Sequence, residues 1–163
     1  MGENIRTRTL QERLGFSDSE LKTPAHDAIM IWLDGEMEKI ATDLFPVGES
    51  PGKKIFCIKK IWEAPVMSDK YLVGFVDMEV IVGFEEFSYG ERKSAFLFFE
   101  VKPRIKSVGE TIRQIRTYEE YVRRDGWTPE TWRFFVVSPE DAFAEVLRKQ
   151  GIGFIKVPPG VLK

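Results

Sequence analysis

An acidic and a basic residue alternate with apolar residues near the middle of the chain. In the segment KSAFLFFEVK, Glu100 and Lys102 are two residues apart and follow a run of large apolar side chains. Side chains two apart on a strand point to the same face, so Glu100 and Lys102 share one face, while Leu97, Phe99 and Val101 share the other. Burying an unpaired charge in apolar surroundings is costly, so the two charges must be compensated by each other or by a metal ion.

A second carboxylate, Asp77, follows Gly74-Phe75-Val76 in the preceding apolar segment. Pairing of the two segments as a hairpin brings Asp77 close to Glu100. Neighbouring carboxylates repel each other unless a divalent cation lies between them. Mg²⁺ suits such a site because it takes oxygen ligands and keeps several waters. Lys102 would then lie beside the metal, where it can orient or help to deprotonate a water, while the metal activates the nucleophile and stabilises phosphate charge.

These residues and a third segment resemble the motifs of a nuclease family. The segments Gly74-Phe75-Val76-Asp77, Glu100-Val101-Lys102 and Gln114-Ile115-Arg116-Thr117-Tyr118 follow the order found in the PD-(D/E)XK nucleases, over roughly residues 24–138. The Gln-x-x-x-Tyr segment is similar to that of the RecB-like and Cas4-like exonuclease branch. The resemblance implies a restriction-endonuclease-like αβββαβ core and metal-dependent hydrolysis of DNA.

The resemblance also implies a role for each matching residue. Asp77 and Glu100 are expected to bind Mg²⁺ or Mn²⁺, and the Val101 carbonyl is expected to be a further ligand. Lys102 is expected to act on the attacking water. By itself the alternation of Glu100 and Lys102 is also typical of the solvent face of a strand, but its combination with Asp77 and Gln114, in order, favours the catalytic interpretation.

Four further residues belong to the expected site. Gln114 and Tyr118, one turn apart on one helix face, are expected to position the site or the nucleic-acid strand, although Tyr118 packed in the core is the alternative. The RecB-like branch carries a metal-binding His on its first helix, and His26 is the only histidine here. A local hydrogen bond at the start of that helix is an equally good interpretation of His26, and Glu63, at a strand end, is the fallback ligand.

Basic residues flank the third motif. Arg104, Arg113 and Arg116 are expected to contact nucleic-acid phosphates. A solvated helix face, in which arginines pair with glutamates of the same helix, is an equally good interpretation. The chain also departs from the family in two respects. The segment from Asp77 to Glu100 is longer than in the compact form of the family, and the iron–sulfur cysteines of Cas4-like proteins are absent from the sequence.

Local patterns predict the elements that position these residues. A helix is expected from Pro24 to about Asp43, followed by strands over KKIFCIKKIW (ending near Glu63), YLVGFVDMEVIVGFEEF and KSAFLFFEVK, with a turn at 88–91 before the last of them. Ser107 begins a capping box for a helix that runs to about Arg124 and is closed by Gly126.

The remaining segments predict a strand over WRFFVV, a helix opened by Ser138-Pro139-Glu140-Asp141 and ended by Gly151, and a short strand over GFIKV. The order α-β-β-β-α-β, with an added α-β, predicts an α/β (α+β) fold with one mixed sheet and helices on both faces. We expect an N-terminal arm over residues 1–22 and a single nuclease-like domain over 23–163.

Composition limits the partners and the compartment. The 163 residues, 43% hydrophobic and 31% charged, predict a soluble globular domain. A net charge of -2 provides no global positive field for nucleic acid. A single cysteine fits a cytoplasmic protein, and no apolar run is long enough to span a membrane. Few Asn and Gln residues among many Lys and Glu indicate a thermophilic source.

Three functions are compatible with these residues. The first is a Mg²⁺- or Mn²⁺-dependent deoxyribonuclease acting in DNA repair, recombination or defence, with RNA also open as a substrate. The second is a non-catalytic nucleic-acid or protein interaction module on the same fold. The third is another metal hydrolase using the same carboxylates. The sequence has no nucleotide-binding motif, so a motor would come from a helicase-type partner. A homodimer is also compatible with the sequence.

Overall fold

The protein was analysed as a computed structural model, in which residues 23–44, 53–86, 91–124 and 132–163 are described. The elements in chain order are α1 (Pro24–Leu44), β1 (Lys53–Met67), β2 (Leu72–Glu86), β3 (Glu91–Val101), α2 (Val108–Arg124), β4 (Trp132–Ser138), α3 (Ala144–Lys149), β5 (Gly153–Lys156) and a 3-10 helix (Pro159–Leu162). This order confirms the predicted sequence of helices and strands. The expected N-terminal arm, the turn at 88–90 and the helix end at Gly126 lie outside the described residues.

The five strands form one mixed sheet in the order β1-β2-β3-β4-β5. The first three strands pair antiparallel, whereas β3, β4 and β5 pair parallel. A parallel connection needs a long crossover, and α2 and α3 supply the two crossovers. Strand β3 therefore belongs to both halves of the sheet, with an antiparallel neighbour on one side and a parallel neighbour on the other.

Apolar side chains cover both faces of the sheet, as the alternation along β3 predicts. On one face, Phe99 stacks on Phe135 at 5.2 Å between ring centroids, in a cluster that includes Leu33 of α1. On the other face, Phe98 stacks on Phe134 at 4.7 Å, in a cluster that includes Ile115 of α2. Helices thus lie on both faces, and α2 is on the face to which Glu100 and Lys102 were expected to point.

Side-chain caps fix the starts of the two long helices. Thr23 Oγ1 accepts a hydrogen bond from the His26 N–H at 3.2 Å, and Ser107 Oγ accepts one from the Glu110 N–H at 3.3 Å. Both bonds satisfy backbone donors that a helix start leaves without an intrahelical partner. The first cap determines where His26 lies, and the second sets the register of the helix that carries Gln114.

Two predicted boundaries are wrong. Strand β1 continues past Glu63 to Met67, because it pairs with the beginning of β2; it includes Pro65, which an edge strand tolerates. The last helix begins at Ala144 instead of directly after Ser138. Ser138 ends β4, where its carbonyl accepts the Val157 N–H at 3.0 Å.

The end of α3 agrees with the sequence. Gly151 follows α3 with φ 73°, the left-handed conformation that favours glycine after a helix. None of the described helices combines the length and the apolar character needed to cross a membrane.

Candidate active site

Asp77 lies where β2 and β3 stop pairing. The last paired residues at this end are Met78 and Phe99, and the Asp77 side chain bonds to the neighbouring strand just beyond them. Its Oδ2 accepts the Val101 N–H at 2.7 Å, and its Oδ1 is 3.0 Å from His26 Nε2. The carboxylate is therefore held between β3 and α1, and it takes a backbone donor that the strand ladder no longer satisfies.

Glu100, Lys102 and Gln114 form one hydrogen-bonded network. Lys102 Nζ is 3.0 Å from Glu100 Oε1 and donates to Gln114 Oε1 at 3.0 Å. Gln114 Nε2 donates to Glu100 Oε1 at 2.9 Å. The side chains of Glu100, near the end of β3, and Lys102, just after it, thus lie on one face, as predicted, and α2 brings Gln114 to both of them.

Tyr118 links α2 to the beginning of β2. Its hydroxyl accepts a hydrogen bond from Gln114 Nε2 at 3.2 Å and donates one to the Phe75 carbonyl at 3.2 Å. A Cβ atom built at Gly74 would lie 2.8 Å from this hydroxyl, so only glycine allows the close approach. The ring is buried in the core cluster of this face, which matches the alternative interpretation of Tyr118, while its hydroxyl contacts the predicted site.

Burial dominates the electrostatics of the site. The Glu100 residue is 5% exposed, and burial raises the pKa of its carboxyl to about 7, with a further upward contribution from the charge of Asp77; Lys102 and Gln114 act in the opposite direction. Glu100 Oε2 is buried and accepts no hydrogen bond from any residue that the structure describes. A charged Glu100 is thus only partly compensated by its described neighbours.

His26 and Glu63 both lie beside Asp77. The His26 side chain is 9% exposed, against 17% for Asp77, so their contact is largely screened from solvent. Glu63 lies in β1 between Trp62 and Ala64, which pair with Met78 and Val76, so its backbone is opposite Asp77. Glu63 has φ 52°, a conformation that costs a non-glycine residue roughly 1–3 kcal/mol and often occurs near functional sites.

The three predicted phosphate-contacting arginines lie on the surface. Arg104 and Arg113 are exposed. Arg116 Nη1 instead donates to the buried Glu119 at 2.7 Å, and its other terminal nitrogen bonds to the Gln150 carbonyl. Arg116 therefore matches the alternative of an arginine paired within its own helix.

Sequence reasoning did not find the tyrosine contact beyond Tyr118. The hydroxyl groups of Tyr71 and Tyr121 are 3.3 Å apart, which joins the β1–β2 hairpin to α2. Tyr121 is three residues after Tyr118, so its position on the same helix face was a usable signal. No local signal marked Tyr71, because its contact depends on the path of the hairpin.

Within the described ranges, no three His, Cys, Asp or Glu side chains are grouped closely enough to hold a metal ion by themselves. The site instead offers two carboxylates, a histidine, a lysine and a glutamine. The chain matches no protein-family model, no curated protein and no solved structure. Any function proposed for the chain therefore depends on the geometry of these side chains.

Proposed function

We propose that this protein is a divalent-metal-dependent nuclease that hydrolyses phosphodiester bonds of DNA. The proposal rests on one observation. Asp77, Glu100 and Lys102 lie just beyond the last paired residues of β2 and β3, and Gln114 of α2 bonds to both Glu100 and Lys102. The order α1-β1-β2-β3-α2-β4 agrees with the restriction-endonuclease-like core that the resemblance to PD-(D/E)XK nucleases implies, and we propose that core for this chain.

The residues at this point fit a Mg²⁺ or Mn²⁺ ion. Glu100 has a buried oxygen without a hydrogen bond from the described residues and lies within the field of Asp77, so a cation would compensate both carboxylates. Mg²⁺ commonly uses one or two protein carboxylates and fills its other positions with water and phosphate oxygens. When bound, the ion supplies an activated water and stabilises charge on the phosphate.

The backbone of Val101 supports the same arrangement. Its N–H points to Asp77, and the N–H and C=O of one strand residue point to the same neighbouring strand. We therefore expect the Val101 carbonyl to face the gap beside Asp77, where it is available as a further oxygen ligand. His26 holds the other side of Asp77, and in the proposed site it orients that carboxylate or joins it as a ligand.

Lys102 and Gln114 supply the proposed chemistry at the attacking water. The Lys102 ammonium is 3.0 Å from a carboxylate oxygen of Glu100. Gln114 holds both side chains, because its amide oxygen accepts a hydrogen bond from Lys102 and its amide nitrogen donates one to Glu100. A lysine held in this way can orient a water and stabilise negative charge that develops on the phosphate. Gln114 is a positioning residue, because it acts through Glu100 and Lys102.

Cleavage of labelled DNA by the purified full chain tests the proposal. Single-stranded and double-stranded oligonucleotides are incubated with Mg²⁺, with Mn²⁺ or with EDTA at several temperatures. Asp77→Asn keeps an oxygen that can accept the Val101 N–H and removes the charge, so we expect cleavage to fall at least about a hundredfold. The matched control is Asp141→Asn, which breaks a surface pair with Lys156 and should cleave like the unmodified protein.

Each outcome has a distinct meaning. Metal-dependent cleavage that Asp77→Asn abolishes supports the nuclease. Cleavage that persists in EDTA, or that Asp77→Asn leaves intact, rejects the proposed site. DNA binding without cleavage under any condition rejects the nuclease and favours the non-catalytic interaction module.

A further inference from the structure

A short, ordered turn joins β1 and β2 and displays an aromatic ring. Ser68 Oγ accepts hydrogen bonds from the Lys70 N–H at 3.2 Å and the Tyr71 N–H at 3.0 Å, and the Ser68 N–H donates to the Tyr71 carbonyl at 2.9 Å. Tyr71 is 59% exposed, and its hydroxyl is 3.3 Å from that of Tyr121. The turn and this contact hold a large aromatic side chain in solvent at a fixed place.

The Tyr71 ring continues a row of side chains that begins at the candidate active site. Gln114, Tyr118 and Tyr121 are on one face of α2, and the seven helical steps from the first to the last span about 10 Å. Along the neighbouring chain, Tyr118 packs against Gly74, and Tyr71 precedes that glycine by three residues. Tyr71 therefore continues, beyond Tyr118 and Tyr121, the row of side chains that starts beside Lys102.

We propose that Tyr71 stacks on an unpaired base of single-stranded DNA whose backbone enters the site at Asp77 and Glu100. The proposal rests on the proposed nuclease function and specifies its substrate. The rise of about 10 Å from Gln114 to Tyr121 corresponds to about three stacked nucleotides at the ~3.4 Å rise per base, and Tyr71 lies beyond Tyr121, so the contacted base is at least about three nucleotides from the cleaved bond. Only an unpaired base presents its face to a protein side chain, since duplex bases stack on each other.

The proposed contact is stabilised by aromatic stacking and not by charge. The turn contains both Asp69 and Lys70, which are exposed and of opposite sign, so its own charge adds little attraction for phosphates. Aromatic stacking tolerates any base sequence. The contribution of Tyr71 to affinity should therefore change little with salt concentration, unlike contacts from lysine or arginine to phosphates.

Anisotropy of a fluorescent single-stranded oligonucleotide in EDTA measures this contact without hydrolysis. Tyr71→Ala removes the ring, and we expect about tenfold weaker binding, within the range known for loss of one base–aromatic stack. Tyr71→Phe keeps the ring and removes the hydroxyl contact with Tyr121, so it should stay within about twofold of the unmodified protein. Ile31→Ala, at a 66% exposed position on α1, is the control for loss of exposed apolar surface.

A 2-aminopurine base placed at successive positions of the oligonucleotide gives a second readout. Its fluorescence should be quenched by stacking at one position in the unmodified protein and in Tyr71→Phe, and should recover in Tyr71→Ala. Equal losses of binding in Tyr71→Ala and Tyr71→Phe would overturn the proposal, because the hydroxyl contact would then be what matters. Unchanged binding in Tyr71→Ala would overturn it as well.

The same protein and oligonucleotide with Mg²⁺ separate this proposal from the nuclease proposal. Cleavage with no effect of Tyr71→Ala on binding leaves the nuclease and rejects the stacking contact. A Tyr71-dependent complex that is never cleaved keeps the stacking contact and rejects the nuclease. Absence of both binding and cleavage rejects the two together.

Discussion

The carboxyl group of Glu100 is buried in the candidate site. One of its oxygens faces Lys102 and Gln114, and the other is buried without a hydrogen bond from the described residues. Burial, with Asp77 adding to it, raises the pKa of Glu100 to about 7. Near neutral pH the metal-free protein is therefore divided between a protonated and an ionised Glu100.

Metal affinity should depend on this proton. A carboxyl must lose its proton to bind a metal, and a raised pKa means that the proton is present below pH 7 and lost above it. From pH 6 to pH 8 the ionised fraction of Glu100 rises about tenfold, so calorimetric Mn²⁺ affinity should rise by about the same factor. Glu100→Gln should bind Mn²⁺ weakly and with no such dependence.

Histidine side chains in general change charge in this pH range, so His26, which contacts Asp77, serves as the control. The variant His26→Gln should keep the rise in Mn²⁺ affinity between pH 6 and pH 8. Loss of that rise in His26→Gln, together with its retention in Glu100→Gln, would assign the proton to the histidine and contradict the account of Glu100.

Substitution of Lys102 should slow cleavage without weakening metal binding. Removing its positive charge with Lys102→Ala takes away a cation beside Glu100, so Mn²⁺ affinity should stay the same or increase. Cleavage should nevertheless slow about a hundredfold or more, the size expected for a residue that assists proton transfer. Lys156→Ala, which removes a surface ion pair with Asp141, is the matched control. A Lys102→Ala variant that cleaves at the normal rate is incompatible with the proposed role.

Helix α2 is the element that organises the site. It carries Gln114 to Glu100 at the end of β3 and to Lys102 just after it, and its Tyr118 contacts the beginning of β2. Gly74 sets the separation between that helix and that strand, because a Cβ there would lie 2.8 Å from the Tyr118 hydroxyl. The position of Gln114 therefore depends on a residue with no side chain of its own.

Gly74→Ala should lower stability and disturb the site together. Overpacking of this kind typically costs about 1–3 kcal/mol, measurable as a lower free energy of unfolding in urea, and DNA cleavage should fall as Tyr118 shifts. Gly35 is the matched control, since a Cβ there meets nothing within 4 Å. Gly35→Ala in the middle of α1 should raise stability by up to about 1 kcal/mol. A neutral Gly74→Ala substitution would show that Tyr118 can yield at no cost.

Local patterns in the sequence predicted much of this arrangement. Strand alternation gave the shared face of Glu100 and Lys102, and helical spacing gave the contact between Gln114 and Tyr118. Contacts that depend on distant segments were not predictable in this way. The extension of β1 to Met67 depends on pairing with β2, and the Tyr71–Tyr121 contact joins residues fifty apart.

The capping signals predicted two helix starts correctly and one wrongly, and the bonds of the three carbonyls explain the difference. The carbonyls of Thr23 and Ser107 accept the N–H groups of Asp27 and Thr111 in the first turns of their helices, whereas the Ser138 carbonyl accepts the Val157 N–H, after β5. The hydrogen bond that the Val101 N–H donates to Asp77 was likewise not predictable from the sequence, because it forms only where two strands stop pairing.

At the scale of the whole molecule, the mixed sheet creates the gap in which the site lies. Strand β3 stays paired with β4 as far as Val101 and Val137, but its pairing with β2 ends at Phe99. Asp77 and Glu100 therefore lie at the junction between the antiparallel and parallel halves of the sheet, with His26 of α1 beside Asp77 and Gln114 of α2 beside Glu100. With a net charge of -2, the proposed attraction for DNA has to come from local contacts around this junction.

The proposed reaction depends on one divalent ion shared by Asp77 and Glu100. A Mn²⁺-soaked crystal of the full chain tests this most directly, since the anomalous scattering of manganese locates the ion independently of any substrate. We predict an anomalous peak that has carboxylate oxygens of both Asp77 and Glu100 as ligands and that disappears in Asp77→Asn. Manganese bound only elsewhere on the protein, or no bound manganese at saturating concentration, would contradict the account.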